Sequence, residues 1–99
     1  MLYSLTEKLT FAEDPQIEVK GKVLTIKSDA ETVLKLLDVI QNESQIDGAK
    51  ATIDMLLSEK DKKVFKSLNL NIADWRTFTE TMVALALGND PDAEAQGEE

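Results

Sequence analysis

The chain is 99 residues long, carries 19 acids against 11 bases for a net charge of −8, and contains neither histidine nor cysteine. Disulfides, thiolate zinc sites and thiol nucleophiles are thereby excluded, and the commonest general base and metal ligand is missing as well. The acidic balance disfavours a nucleic-acid partner, which needs clustered Lys and Arg, while 42% hydrophobic and 30% charged residues suit one soluble domain with a modest core.

The opening Met1-Leu2-Tyr3-Ser4-Leu5-Thr6-Glu7-Lys8 lacks the basic start and long apolar run of a signal peptide. No later stretch approaches the roughly 20 apolar residues of a membrane span, so a cytoplasmic location away from membranes is expected. Residues 8–27 read as short strands. Lys8–Ala12 ends at the turn signal Glu13-Asp14-Pro15, Gln16–Lys20 alternates polar and apolar, and Val23–Lys27 resumes the pattern. Lys20-Gly21-Lys22 would close the last two runs as a hairpin, with Ile17 and Val19 on one face and Leu24 and Ile26 on another. A lone hairpin is marginal in water, so it is expected to rest on the helices that follow.

Ser28-Asp29-Ala30-Glu31 reads as a capping box opening a helix over about 29–41. Val33, Leu36, Leu37 and Ile40 form its apolar stripe at i, i+3, i+4, i+7, and Leu34 and Val39 widen it. A second helix over about 44–57 carries Ile46, Ala49, Ile53, Leu56 and Leu57. Gly48 inside it costs about 1 kcal/mol relative to Ala, which calls for either a close backbone approach or a later helix start. Ser58-Glu59-Lys60-Asp61 begins a third helix over about 59–68, short enough to be a bent continuation of the second. Asn71 caps a fourth over about 72–87, with Ile72, Trp75, Phe78 or Thr79, Met82, Leu85 and Ala86 as its stripe. Gly88 stands where a left-handed C-terminal residue belongs, and Asn89-Asp90-Pro91 stops the helix.

From Asn89 to Glu99 there are five acids, no base and no large apolar side chain. That composition predicts a disordered acidic tail and leaves residues 1–88 with a net charge of only −3. The predicted class is therefore α+β: a short N-terminal β-hairpin packed on three to four helices, forming one domain over 1–88 with a tail over 89–99.

No constellation for chemistry stands out. Asp38, Asp47, Asp54, Asp74 and Glu80 fall on polar helix faces or in caps, and the basic group in 59–66 is interleaved with acids as a solvated face would be. The glycines at 21, 48, 88 and 97 make no phosphate loop, and no Ser-based or Ca²⁺-binding motif is present. Neither an enzyme nor a metal or cofactor site is expected. The feature that invites a function is the fourth helix. Trp75, Phe78 and Met82 make a large apolar ridge, with Val83 and Leu87 beside it. Such a ridge serves either as core or as a contact surface for another protein, and these five residues are the candidate partner-binding set. The apolar excess on the first and fourth helices also points to self-association.

The order of the parts resembles the small tail assembly chaperones of long-tailed phages and prophages of Gram-positive bacteria. The resemblance spans most of residues 3–91. It rests on Tyr3-Ser4-Leu5-Thr6-Glu7-Lys8-Leu9-Thr10-Phe11, the hairpin Ile17–Lys22, Ser28-Asp29-Ala30-Glu31-Thr32-Val33-Leu34-Lys35, Leu57-Ser58-Glu59-Lys60-Asp61-Lys62-Lys63, the helix Asp74–Leu87 and the stop Gly88-Asn89-Asp90-Pro91. It implies a non-enzymatic protein of the host cytoplasm, absent from the finished virion, that binds the tape measure protein and helps recruit major tail protein to the growing tube. It also implies self-association and, in many members, a longer frameshifted product. The family supplies no functional residue to carry over, so the candidate set rests on the helix-face argument. An acidic adaptor or inhibitor mimicking nucleic acid, and a structural head–tail component of the virion, are the rival readings.

Overall fold

Antiparallel strands β1 (Gln16–Val19) and β2 (Lys22–Thr25) open the fold in a computed structural model that describes residues 1–6, 9 and 13–89. Lys20 and Gly21 have φ of 51° and 77°, the left-handed pair of a two-residue turn whose twist matches that of the strands. The Glu18 carboxylate accepts the Gly21 N–H at 2.8 Å. Ile17 pairs with Leu24 and Val19 with Lys22. Paired residues share a face, so the two apolar pairs form one continuous surface rather than two. Leu24 and Ile26 on it are fully buried, whereas Val23 on the reverse face is exposed.

Four helices follow: α1 (Ala30–Asn42), α2 (Gln45–Leu56), α3 (Glu59–Ser67) and α4 (Ile72–Ala86). Two caps, Ser58 and Asn71, are those expected from the sequence, and Ser44 caps α2 in the same way. Ser44, Ser58 and Asn71 accept the amides of Asp47, Asp61 and Asp74 at 3.1, 3.2 and 2.8 Å. The cap of α1 differs by one residue. Asp29, not Ser28, accepts the Thr32 amide and hydroxyl at 3.0 and 2.8 Å, while Ser28 gives its amide and hydroxyl to Asp14. Glu31, released from the supposed box, lies within 3.5 Å of Lys35 at an exposed site. Leu57 is extended at φ −109°, ψ 144°, so α3 is a separate helix and not a bent end of α2. At the end of α4, Gly88 takes φ +86° and its N–H reaches the Leu85 carbonyl, while the Asn89 N–H reaches that of Ala84. This is the paired-bond ending that a left-handed glycine permits.

One core joins β2 (Leu24, with Ile26 just beyond it), α1 (Val33, Leu36), α2 (Ile53, Leu56), Leu57, α3 (Phe65) and α4 (Met82, Ala86). Ile17 and Val19 pack against it from β1. Two backbone amides fasten the hairpin to the helices: Lys27 N–H donates to the Leu56 carbonyl at 2.9 Å, and Thr25 N–H to the Asp61 carboxylate at 3.0 Å. Gly48 lies where α1 and α2 approach closely, with room for no more than a methyl. A Cβ there would lie 3.5 Å from Ile40 Cγ1 and 3.6 Å from its Cα, so α1 and α2 are nearly in backbone contact at that level.

The strand expected over Lys8–Ala12 lies outside the described residues except at Leu9, and the tail from Asp90 lies outside them entirely. Among the described residues no helix is long and apolar enough to cross a membrane.

Candidate functional site

Small residues stand where α2 and α4 face each other. Gly48, Thr52 and Thr79 are buried and line a groove of about 840 Å³. Ile40, Ile46 and Ala49 line it on the α1–α2 side; Ile72, Trp75 and Val83 line it from α4. A large side chain at position 48 would run into Ile40 of α1, so the close α1–α2 approach keeps that position small.

The groove is apolar and its hydroxyls are engaged. Thr52 donates to the Gly48 carbonyl at 2.9 Å and Thr79 to the Arg76 carbonyl at 3.0 Å. Ser44 caps α2. Among the described residues no buried side-chain nitrogen or oxygen lacks a partner. Charge is confined to Glu43, Arg76 and Glu80. The exposure of the two isoleucines is the telling feature: Ile46 is 68% and Ile72 79% exposed. Both were expected on buried stripes. Each sits in the first turn of its helix, beyond the reach of the core, and among the described residues no other element covers it.

The five sequence candidates separate on this geometry. Trp75 and Val83 line the groove. Trp75 stands edge-on to Phe65 at 5.4 Å between ring centres, and Phe78 does the same from 4.9 Å. Phe78 is thus half-buried against the core side of α4 and does not line the groove. Met82 is fully buried, which corrects its nomination as a contact residue: it is a core side chain with no surface to offer. Leu87 is exposed at the end of α4, away from the groove lining. Sequence reasoning missed Ile40, Ile46 and Ile72. The available signal was the run of small residues Gly48, Ala49 and Thr52 beside Ile46, which leaves a helix face too low to fill its own contact.

A smaller hollow of about 200 Å³ lies on the other side of Trp75, against Ile53, Phe65 and Leu70. The titratable groups with clear shifts lie elsewhere. Hydrogen bonds from Thr32 hold the Asp29 carboxyl below the usual range. The Lys62 ammonium does the same to Asp54 from 2.8 Å, and Lys62 is raised in turn by Asp54 and by Glu59 at 3.1 Å. Among the described residues no group of three or more acids is placed to hold a metal ion. The lining therefore offers apolar surface with a sparse charged rim, which is suited to receiving apolar side chains of another chain. Comparison with protein-family models, curated proteins and solved structures found no match.

Proposed function

We propose that this chain is a tail assembly chaperone of a long-tailed phage or prophage, binding the tape measure protein in the host cytoplasm and promoting assembly of the tail tube. The family reading comes from the ordered resemblance of residues 3–91. The observation that carries a binding role is the uncovered α2–α4 groove, with Ile46 and Ile72 standing 68% and 79% exposed at its sides. An apolar surface of this kind can cover apolar segments of a long helical client before they aggregate. The surplus of acids keeps the resulting complex dispersed. Self-association, recruitment of major tail protein and absence from the virion belong to the same proposal.

Co-expression supplies the test. A tape measure protein that is insoluble alone should remain in the soluble fraction with this chain and co-purify with it. A client equally insoluble with and without it defeats the reading. Mass spectrometry of purified particles provides the second check, because a structural head–tail component would be found in them.

A further inference from the structure

We propose that the α2–α4 groove receives a single amphipathic helix whose apolar stripe is flanked by Lys and Arg; the inference rests on reading the groove as the partner-binding site. The occupant's conformation follows from hydrogen bonding. An extended peptide would bring unpaired backbone groups, and the groove has no strand edge to meet them, since helices line both its sides. Ser44, Thr52 and Thr79 are already engaged, which leaves the exposed Gln45 carboxamide as the one side-chain amide or hydroxyl of the lining still open, too little for a strand's row of amides and carbonyls. A helix satisfies its own backbone and presents only side chains. Two helices side by side also form the natural seat for a third, at about 8–10 Å between axes. Ile46, Ile72, Trp75 and Val83 would then meet the apolar stripe, over small residues that admit its larger side chains.

Charge selects the flanks. Glu43 and Glu80 outnumber Arg76 in the lining. The sequence following α4 carries Asp90, Asp92, Glu94, Glu98 and Glu99 with no base. The same composition excludes that segment as the occupant: it lacks a large apolar side chain and shares the sign of the rim. A basic-flanked helix is favoured by the charge of the lining, and its capture should be salt-sensitive.

Trp75 is the only tryptophan and lines the groove, so its emission reports occupancy directly. The full chain is titrated with three synthetic peptides of about 18 residues, five helical turns. One has a leucine stripe with lysine flanks, one the same stripe with glutamate flanks, and one the lysine composition scrambled so that no face is apolar. The lysine-flanked helix should bind and shift Trp75 emission, at least tenfold tighter than either control, and weaken as salt rises. Ile46→Gln with Ile72→Gln, which leaves the charge unchanged, should weaken it at least tenfold with no change in the melting curve. Glu43→Gln with Glu80→Gln should weaken it several-fold at low salt only. Equal binding of the scrambled or glutamate peptide, or full binding by the double-isoleucine variant, overturns the proposal. So does sedimentation showing a second copy in the groove: a dimer lost in that variant and undisturbed by the peptide. The two readings fail separately. Peptide capture without tape measure solubilisation defeats the chaperone assignment and leaves the groove assignment standing, whereas solubilisation undiminished in the double-isoleucine variant does the reverse.

Discussion

The two halves of α2 obey the same helical period and meet opposite fates. In the C-terminal half, Ile53 and Leu56 are 6% and 0% exposed, and the Leu56 carbonyl is tied to the chain leaving β2. In the N-terminal half, Ile46 is 68% exposed beside small residues that leave a groove. α4 repeats the contrast, with Met82 and Ala86 buried near its end and Ile72 bare at its start. Amphipathic spacing determines which side chains point inward together. Whether they are covered depends on how far the hairpin, α1 and α3 extend over them. The closed region is where this chain's stability is concentrated, and the open one is where it has apolar surface left for a partner.

The sharpest way to break that contrast is to truncate on both sides of it. Leu56→Ala and Met82→Ala should each cost about 2–5 kcal/mol, read as a lowered midpoint in urea, because both side chains are fully enclosed. Ile46→Gln and Ile72→Gln should each change stability by no more than about 0.5 kcal/mol. A loss at Ile46 or Ile72 comparable to that at Leu56 would mean that the groove is covered in solution, by a second copy or by the chain itself.

A smaller effect tests what fastens the closed region. Asp61 accepts the β2 amide of Thr25 from the first turn of α3. Asp61→Ala removes a charged acceptor from a part-buried amide and should cost about 1–3 kcal/mol. Hydrogen exchange should quicken at Thr25 more than at Gly48 or Thr79. Uniform quickening would show that the hairpin and the helices open as one unit.

Much of this architecture is written locally, and its limits are instructive. Ser58 and Asn71 are read as caps because each acts within three residues of itself, and Gly88 because a left-handed ending is a local demand. Ser28 misleads because Asp14, 14 residues away, claims its hydroxyl. The groove is half legible for the same reason. Periodicity places Trp75 and Val83 on α4, but it also aligns Trp75 with Met82, and only the packing of the other elements decides that one lines a groove and the other is sealed. Nothing near Ile46 or Ile72 in sequence says that no element will cover them.

Gly48 sits between the two regions, against Ile40 and in the lining of the groove. Gly48→Ala adds a methyl at ordinary contact distance and relieves the helix of a glycine, so it should stabilise by about 0.5–1 kcal/mol in thermal unfolding. Gly48→Leu should instead drive α1 from α2 and cost about 1–3 kcal/mol. A destabilising alanine would place the two backbones closer than 3.5 Å contacts imply.

The smallest expected effect is that of pH, and its shape follows from the exposed pairs. Asp29 and Asp54 have carboxyls held below their ordinary value, so their contribution is present above the unfolded pKa of about 3.9 and disappears as pH falls through the folded one. Lys62 is raised, so its contribution is complete below about 10.4 and is lost as pH climbs past its folded value. With no histidine in the chain, no side chain ordinarily titrates between these limits near neutrality. The melting temperature should therefore be level from about pH 5 to 9 and fall at both ends. Lys62→Met should shrink both falls, since it removes the shared partner of Asp54 and Glu59, and added salt should do the same because Asp54 is 77% exposed. A fall that Lys62→Met leaves unchanged would assign the acid limb to Asp29 and its Thr32 bonds, which is a capping effect confined to α1 and indifferent to the state of the groove.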